Sequence, residues 1–151
     1  MKKVYARPAY CMNCHLCEVN CIVAHSKSRN LLKAFKKEKL RGTARVFVEE
    51  RKPISIAVQC RHCNDPRCVA GCISGAMVKD TETGIVYCQE EKCVGCWTCV
   101  VSCPYGVIRP IEIDGRKLPL KCDLCKEYEE PACVVGCPNK ALVFEERGAE
   151  V

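Results

Sequence analysis

Residues 93–104 of the chain, Cys93-Val94-Gly95-Cys96-Trp97-Thr98-Cys99-Val100-Val101-Ser102-Cys103-Pro104, form the stretch of sequence that decides its fold. Two residues separate the first cysteine from the second and the second from the third, and three residues separate the third cysteine from the fourth. A loop this tight places several thiols close together, which is the arrangement that a multinuclear metal centre requires.

The same kind of pattern occurs four times, and it takes up all but one of the 17 cysteines. Every quartet opens with CxxC and closes with CxxxC, while quartets two and four widen the middle gap to four and seven residues. Proline follows the last cysteine in quartets three and four, whereas Ile22 and Ile73 stand there in quartets one and two. The members are Cys11, Cys14, Cys17 and Cys21 (quartet one); Cys60, Cys63, Cys68 and Cys72 (quartet two); Cys93, Cys96, Cys99 and Cys103 (quartet three); and Cys122, Cys125, Cys133 and Cys137 (quartet four).

This spacing predicts iron–sulfur clusters. Three thiolates two residues apart on a tight loop can hold three iron corners of a [4Fe-4S] cube and leave the fourth corner to a distant cysteine. Since all sixteen positions hold cysteine, we expect four [4Fe-4S] clusters and no [3Fe-4S] centre. Structural zinc sites usually combine two CxxC pairs across a longer loop. A structural zinc-binding interaction protein is the competing class. In quartets one and three, however, the third cysteine follows the second after only two residues.

Composition limits the other possibilities. Cysteine makes up about 11% of the 151 residues, a level at which disulfides or metals usually cross-link a small scaffold. No apolar signal-peptide core or twin-arginine motif precedes Cys11, so we expect a cytoplasmic protein whose thiols stay reduced and bind metal. No apolar run approaches the roughly 20 residues that span a bilayer, so no direct membrane insertion is expected.

The net charge of +6 suggests nucleic acid binding at first sight. Four oxidised clusters with their thiolates would contribute roughly −8 and bring the holoprotein to about −2. Many cations are therefore interpreted as neutralising the clusters and tuning their reduction potentials, and no nucleic acid partner is expected. Candidates for this tuning are the side chains of Arg61, Arg67 and Lys121 and the backbone amides of Gly71, Gly95 and Gly136.

The segments between the quartets predict a repeated unit of a cysteine loop, a short helical turn carrying the last cysteine, and a β-hairpin. One hairpin is predicted over residues 76–87, and a second over residues 107–120 around Asp114-Gly115, a strong hairpin signal. A short strand is predicted over residues 141–144. Residues 22–59 interrupt this rhythm: residues 28–40 predict a basic helix ended by Gly42, and residues 44–58 predict another hairpin. The Lys-rich face of that helix is either a solvated surface or a docking surface.

The residues around the quartets resemble those of the four-cluster, ferredoxin-like electron-transfer subunits of molybdenum or tungsten pterin enzymes, carbon monoxide dehydrogenases and some hydrogenases. The resemblance covers nearly the whole chain and is carried by Cys60-Arg61-His62-Cys63-Asn64-Asp65-Pro66-Arg67-Cys68, by Cys93-Val94-Gly95-Cys96-Trp97-Thr98-Cys99 and by Lys121-Cys122-Asp123-Leu124-Cys125. It implies an α+β fold in which residues 1–151 form one compact body of two interleaved bacterial two-cluster ferredoxin-like modules. The outer module takes approximately residues 1–25 and 117–147, the inner module approximately residues 55–116, and residues 22–59 form an insert.

The resemblance also implies how the quartets share clusters. Spacing alone allows neighbouring quartets to pair in sequence, so the pairing depends on the resemblance. In the family, the outer quartets pair with each other and the inner quartets pair with each other. The implied ligand sets are Cys11, Cys14, Cys17 and Cys137 (cluster one); Cys122, Cys125, Cys133 and Cys21 (cluster two); Cys60, Cys63, Cys68 and Cys103 (cluster three); and Cys93, Cys96, Cys99 and Cys72 (cluster four).

The function implied is that of a non-catalytic electron-transfer subunit. Such a subunit carries electrons between the active site of a tungsten or molybdenum pterin enzyme, a carbon monoxide dehydrogenase or a hydrogenase and an external electron acceptor or donor protein. The residues agree, because the chain has no nucleophile elbow, no phosphate-binding loop and no catalytic zinc motif. A free-standing polyferredoxin is the alternative. The 38-residue insert and the second module favour a subunit, because a diffusing carrier needs only one or two clusters.

Five residues near the quartets have more than one interpretation. Cys88, outside the quartets, is interpreted as a small buried hydrophobe rather than a redox group. His15, His25 and His62 are interpreted as surface residues or as partners of cluster-binding groups, because the cysteines suffice as ligands. Trp97 either packs over a cluster or contacts a partner.

Overall fold

The computed structural model describes residues 1–38 and 43–147, and the chain divides into two compact units. The central unit contains Cys60–Asp123 together with Met1, and the terminal unit contains Lys2–Gln59 and the residues from Leu124 onward. Both units consist of short helices and two-stranded antiparallel sheets, in agreement with the predicted α+β class. The interleaving of two ferredoxin modules stays a prediction. Within the described residues, no helix combines the length and the apolar character that crossing a membrane requires.

The helices and strands are short throughout. Single 3-10 turns at Pro8–Tyr10 and Glu90–Lys92 lead into quartets one and three. The strands are β1 (Lys3–Ala6), β2 (Val46–Arg51), β3 (Ile54–Gln59), β4 (Met77–Lys79), β5 (Val86–Cys88), β6 (Arg109–Ile113), β7 (Arg116–Leu120) and β8 (Leu142–Glu145), and the α-helices are α1 (Leu16–Ala24), α2 (Leu31–Lys36), α3 (Arg67–Ala70), α4 (Thr98–Ser102) and α5 (Ala132–Val135).

In the terminal unit, β1 pairs with β8 and β2 pairs with β3, both antiparallel. The strand predicted over residues 141–144 is confirmed one residue later as β8, whereas β1 was not predicted. The buried side chain of Gln59, at the end of β3, joins the two sheets because its Nε2 donates to the Val4 carbonyl oxygen at 2.9 Å. The hairpin predicted over residues 44–58 is confirmed as β2 and β3, and this pairing makes it part of the body of the unit.

The basic helix is shorter than predicted. The structure describes α2 as Leu31–Lys36, preceded by Asn30, whose side chain accepts a hydrogen bond from the Lys33 N–H at 3.1 Å. Asn30 is a favourable N-cap, which explains why the helix does not begin at Ser28. The predicted helix residues 39–40 and the predicted stop at residue 42 lie outside the described residues.

In the central unit, both predicted hairpins are confirmed: β4 pairs with β5, and β6 pairs with β7. Asp114 and Gly115, between β6 and β7, both have positive φ, 50° and 76°, as the tightest hairpin turns require. Helix α3 packs on α4. A buried core of Met77, Val86, Cys99 and Ile108 joins the first hairpin to the cysteine-bearing segments.

Candidate iron–sulfur sites

Each of the four cysteine loops turns at the same place, the residue before its second cysteine. These residues are Asn13, His62, Gly95 and Leu124, with φ of 58°, 45°, 68° and 60°. This left-handed conformation suits glycine, and other residues adopt it at a cost of about 1–2 kcal/mol. The four loops therefore share one backbone turn, although only loop three places glycine at it.

The helices carry the third cysteine of each quartet: Cys17 on α1, Cys68 on α3, Cys99 on α4 and Cys133 on α5. The prediction that the helical turn carries the last cysteine is therefore wrong for quartets two, three and four. Among the last cysteines of the four quartets, only Cys21 lies inside a helix, since α1 continues to Ala24.

Local sequence explains where these helices end. Gly71 and Gly136 are the C-caps of α3 and α5 and stand directly before Cys72 and Cys137. In quartet three, Pro104 disfavours helical backbone at Cys103, so α4 ends at Ser102. Quartet one has neither signal after Cys21, and the helix runs on.

The first cavity, in the terminal unit, joins quartet one to the last cysteine of quartet four. Cys11, Cys14, Cys17 and Cys137 all line this space of about 340 Å³. Cys14 is exposed and Cys17 is buried, so one side of the cavity is open to solvent. An apolar wall of this cavity is formed by Val48 of β2, Ala57 of β3, Ala141 and Leu142.

The second cavity, in the central unit, joins the first three cysteines of quartet two to the last cysteine of quartet three. Cys60, Cys63, Cys68 and Cys103 line a space of about 330 Å³. The guanidinium carbon of Arg61 lies 4.3 Å from the centroid of the Tyr105 ring at the same cavity. The apolar wall consists of Pro66, Val86, Pro104, Val107 and Ile108.

The third cavity, also in the central unit, shows the reciprocal arrangement: Cys93, Cys96 and Cys99 of quartet three lie around it with Cys72 of quartet two, in a space of about 310 Å³ that is partly open to solvent. Cys88 lines the same cavity and packs against the core of the unit, as a small hydrophobe does.

Cys21, Cys122, Cys125 and Cys133 are the remaining predicted set, and all four are buried. Cys21, Cys125 and Cys133 belong to the terminal unit, where α1 packs on α5. Cys122 belongs to the end of the central unit. That these four bind one cluster stays a prediction.

Backbone N–H groups point at the sulfur of several cysteines. Donors lie 3.3 Å from Cys21 Sγ (Arg45), 3.4 Å from Cys60 Sγ (His62), 3.3 Å from Cys72 Sγ (Met77) and 3.2 Å from Cys137 Sγ (Ala141). Hydrogen bonds of this kind stabilise negative charge on sulfur and are a main determinant of cluster potentials. The glycine amides predicted for this role do not all serve it: the N–H of Gly71 donates to Arg67 O, and that of Gly136 to Ala132 O.

The thiols differ in environment. Burial raises the pKa of Cys17 to about 12 and that of Cys68 to about 11. At Cys72 burial also acts to raise the pKa, but the N–H of Met77 and the Ser74 hydroxyl outweigh it, so the pKa lies below its usual value. The Thr98 hydroxyl, 3.3 Å from Cys96 Sγ, lowers the pKa of that exposed thiol. Buried thiols such as Cys17 give up their protons when a metal binds.

The three histidines and Trp97 now have positions. His15 is half-exposed, and its Nδ1 lies 3.2 Å from Glu18 Oε1. His25 Nδ1 lies 2.8 Å from the carbonyl oxygen of Cys21. His62 is 1% exposed, and its Nδ1 accepts a hydrogen bond from the Val86 N–H at 3.0 Å. Trp97 lines the third cavity, and its left-handed backbone, φ 62°, begins α4.

The donor sets fit [4Fe-4S] clusters. Each of the three cavities is lined by three cysteines of one loop and the last cysteine of another, and Cys88 also lines the third. This grouping agrees with the ligand pattern of a [4Fe-4S] cube, whereas structural zinc sites usually combine two CxxC pairs. Sequence reasoning identified all twelve of these cysteines but missed the N–H donors of Arg45, Met77 and Ala141, which have no side-chain signature.

Residues 52–147 match the family described as "4Fe-4S dicluster domain". The chain is 37% identical over 158 aligned positions to "Electron transport protein HydN" of Escherichia coli strain K12, covering 95% of this chain and 87% of that protein. It is 34% identical over 145 positions to "Putative oxidoreductase AegA" of the same strain, covering 92% of this chain but 21% of that protein.

Among solved structures, the chain resembles one in the "Active site complex BamBC of Benzoyl Coenzyme A reductase as isolated". The TM-score is 0.50 at 24% sequence identity, and the alignment covers 99% of this chain and 80% of that chain. This similarity concerns the fold alone.

Proposed function

Because the chain belongs to the 4Fe-4S dicluster domain family, we propose that it is an electron-transfer subunit, carrying electrons through four [4Fe-4S] clusters between the active site of a partner oxidoreductase and an external carrier. The observation that carries the proposal is the composition of the three cavities, each of which combines three cysteines of one loop with the last cysteine of another. Crossed sets of this kind are typical of two-cluster ferredoxins. The partition of the chain into a central and a terminal unit supports an inner and an outer module.

The residues of the chain bind the clusters, insulate them from solvent and tune their reduction potentials. When bound, a [4Fe-4S] cluster supplies a centre that exchanges one electron at a time. Sixteen cysteines occupy every iron corner, so no corner is left open for a substrate. The apolar wall residues shield one side of each cavity from water, and the N–H donors to sulfur adjust the potential. This division of labour suits electron transfer rather than catalysis.

The subunit proposal rests on two relatives. HydN, named an electron transport protein, matches this chain over most of its own length. In AegA, named a putative oxidoreductase, the matching region is about a fifth of a much longer protein. A module that recurs inside a larger oxidoreductase is expected to work beside a redox active site. The partner class remains a tungsten or molybdenum pterin enzyme, a carbon monoxide dehydrogenase or a hydrogenase, and the cytoplasm remains the proposed location.

The cluster assignment is tested on protein purified without oxygen. We expect close to sixteen irons and sixteen acid-labile sulfides per chain, a broad visible absorbance that dithionite bleaches, and electron paramagnetic resonance from the reduced protein. Cys88→Ser is the matched control, because it removes a cavity cysteine outside the predicted ligand sets and should retain the full iron content. A colourless protein loaded with zinc would establish the competing structural class.

The partner is tested by anaerobic affinity purification of the tagged protein from its own host. We expect a stoichiometric complex, and its metal and pterin content identifies the class of active site. A free-standing polyferredoxin is the second candidate, because HydN is not much longer than this chain. Recovery of monomer alone, together with fast reduction by several unrelated oxidoreductases, would establish that candidate.

A further inference from the structure

We infer that Lys121 raises the reduction potential of the cluster bound by Cys60, Cys63, Cys68 and Cys103. This inference rests on the proposed function and deepens it, because it names a residue of this chain that sets the potential of one cluster in the central unit.

Lys121 is buried, with 6% of its surface exposed. Its Nζ donates to the carbonyl oxygen of Val86 and, at 3.0 Å, to that of Cys122. Val86 in turn lines the cavity of Cys60, Cys63, Cys68 and Cys103, so the ammonium group stands directly behind the cavity wall.

Both the N–H and the carbonyl oxygen of Val86 form hydrogen bonds with buried side chains. Its N–H donates to Nδ1 of His62 at 3.0 Å, and its carbonyl oxygen accepts from Lys121. Val86 and His62 are each 1% exposed. The charge of Lys121 is therefore fixed in place by buried hydrogen bonds.

The charge reaches the thiols of this cavity. Lys121 donates to the carbonyl oxygen of Val86, and Val86 lines the cavity together with Cys60, Cys63, Cys68 and Cys103. Charges away from water interact more strongly than exposed charges, because solvent and salt screen them less.

The two cations that line this cavity differ from Lys121 in exposure. Arg61 and Arg67 are exposed, so water and ions screen their charge. Lys121 lies outside the lining but is buried, so its charge is screened less.

The direction of the effect follows from electrostatics. Reduction adds negative charge to the site, and a fixed positive charge stabilises the added electron. Lys121 therefore shifts the equilibrium toward the reduced form, which is a higher potential. Removing the charge is expected to shift that equilibrium at least tenfold toward the oxidised form, or 59 mV for one electron.

The test is a redox titration of the holoprotein followed by electron paramagnetic resonance, on Lys121→Met, Lys121→Gln and Lys121→Arg. Gln retains an N–H donor for the two carbonyl groups without the charge, and Arg retains the charge. We expect one of the reduction steps to move to lower potential in the Met and Gln variants and to stay near its original value in the Arg variant. Lys79→Met is the control: its Nζ donates at 2.8 Å to Asn64 O, on the same cysteine loop, but in an exposed position. That variant should leave all steps in place.

Two results would overturn the inference. One is an unchanged set of potentials in the Gln variant. The other is loss of iron from both neutral variants with full iron in the Arg variant, which would assign the charge of Lys121 to cluster retention rather than to the potential. If the unmodified protein shows no paramagnetic signal after reduction, the proposed function fails instead, so the two failures are distinguishable.

Discussion

The backbone N–H of Ala141 donates to Sγ of Cys137 at 3.2 Å. Both residues line the cavity that also holds Cys11, Cys14 and Cys17. Because Ala141 directly precedes β8, which pairs with β1, the last cysteine of quartet four is held against the cysteine loop that follows β1. The geometry at this position underlies the first prediction.

Cys137→Ser is expected to remove the cluster of the cavity that contains Cys11. Iron content should fall by about four atoms per chain, because a cube that loses one thiolate is no longer held firmly. Iron and acid-labile sulfide analysis after anaerobic purification measures the loss.

The double variant Cys11→Ser/Cys137→Ser sharpens this test. If both cysteines bind one cluster, the double variant loses no more iron than either single variant. A loss of about eight irons would mean that the two residues bind different clusters, and that neighbouring quartets pair instead.

Gly71→Ala is expected to destabilise the central unit by about 1–3 kcal/mol, as overpacking does. A Cβ at Gly71 would lie 2.7 Å from Ser102 Oγ and 3.2 Å from Arg67 O. Either the Ser102 hydroxyl would have to leave its position or α3, which carries Cys68, and α4, which carries Cys99, would have to move apart. The temperature at which the visible absorbance of the clusters disappears, measured without oxygen, should drop.

The companion change Ser102→Ala removes the oxygen that a Cβ at Gly71 would strike. Alone it should have little effect, and combined with Gly71→Ala it should restore part of the lost stability. Equal destabilisation with and without Ser102→Ala would show that the contact with Ser102 is not the cause.

Asn13→Val is expected to reduce cluster retention in the first cavity, and Asn13→Gly to retain it. Asn13 has φ of 58°, a conformation that costs a β-branched residue about 1–2 kcal/mol and glycine almost nothing. Loop three already has Gly95 at the equivalent position. Met12→Val, in the same loop but without positive φ, is the matched control, and the rate of iron loss to a chelator is the measurement. Similar rates in the two valine variants would contradict this explanation.

Removal of iron by acid and chelator is expected to unfold most of the chain. Several of the buried apolar positions are cysteines that would lose the iron they bind: Cys17, Cys21, Cys60, Cys99, Cys122, Cys125 and Cys133. When a site forms only in the folded state, the metal-binding free energy is folding free energy. Far-ultraviolet circular dichroism should lose most of its signal and regain it on anaerobic reconstitution with iron and sulfide. A retained signal in the apoprotein would show that the hairpins keep the chain folded without iron.

Much of this architecture is predictable from local sequence. The Asp114-Gly115 turn between two apolar strand segments predicts one hairpin. The cysteine spacing identifies the predicted cluster ligands. Helix ends follow from Gly71, Pro104 and Gly136, once their positions relative to the last cysteine are compared.

Other features depend on contacts between distant residues. Strand β1 is only four residues long and gains its hydrogen bonds from β8, so its own sequence carries a weak signal. The N–H of Arg45 reaches Cys21 Sγ across 24 positions, and any residue except proline offers that donor. Left-handed backbone at Leu124 and Trp97 is imposed by the loop against the preference of the residue.

The pairing of β1 with β8 sets an order of events on the ribosome. The segment that contains Cys60 to Asp123 is continuous and is available for assembly as soon as it leaves the exit tunnel. Lys3, by contrast, awaits Glu145, its partner in the ladder, for several seconds at about 5–20 residues translated per second. During that interval Cys11, Cys14 and Cys17 have no Cys137 beside them, so these three thiols are synthesised well before they can be enclosed and are vulnerable to premature oxidation.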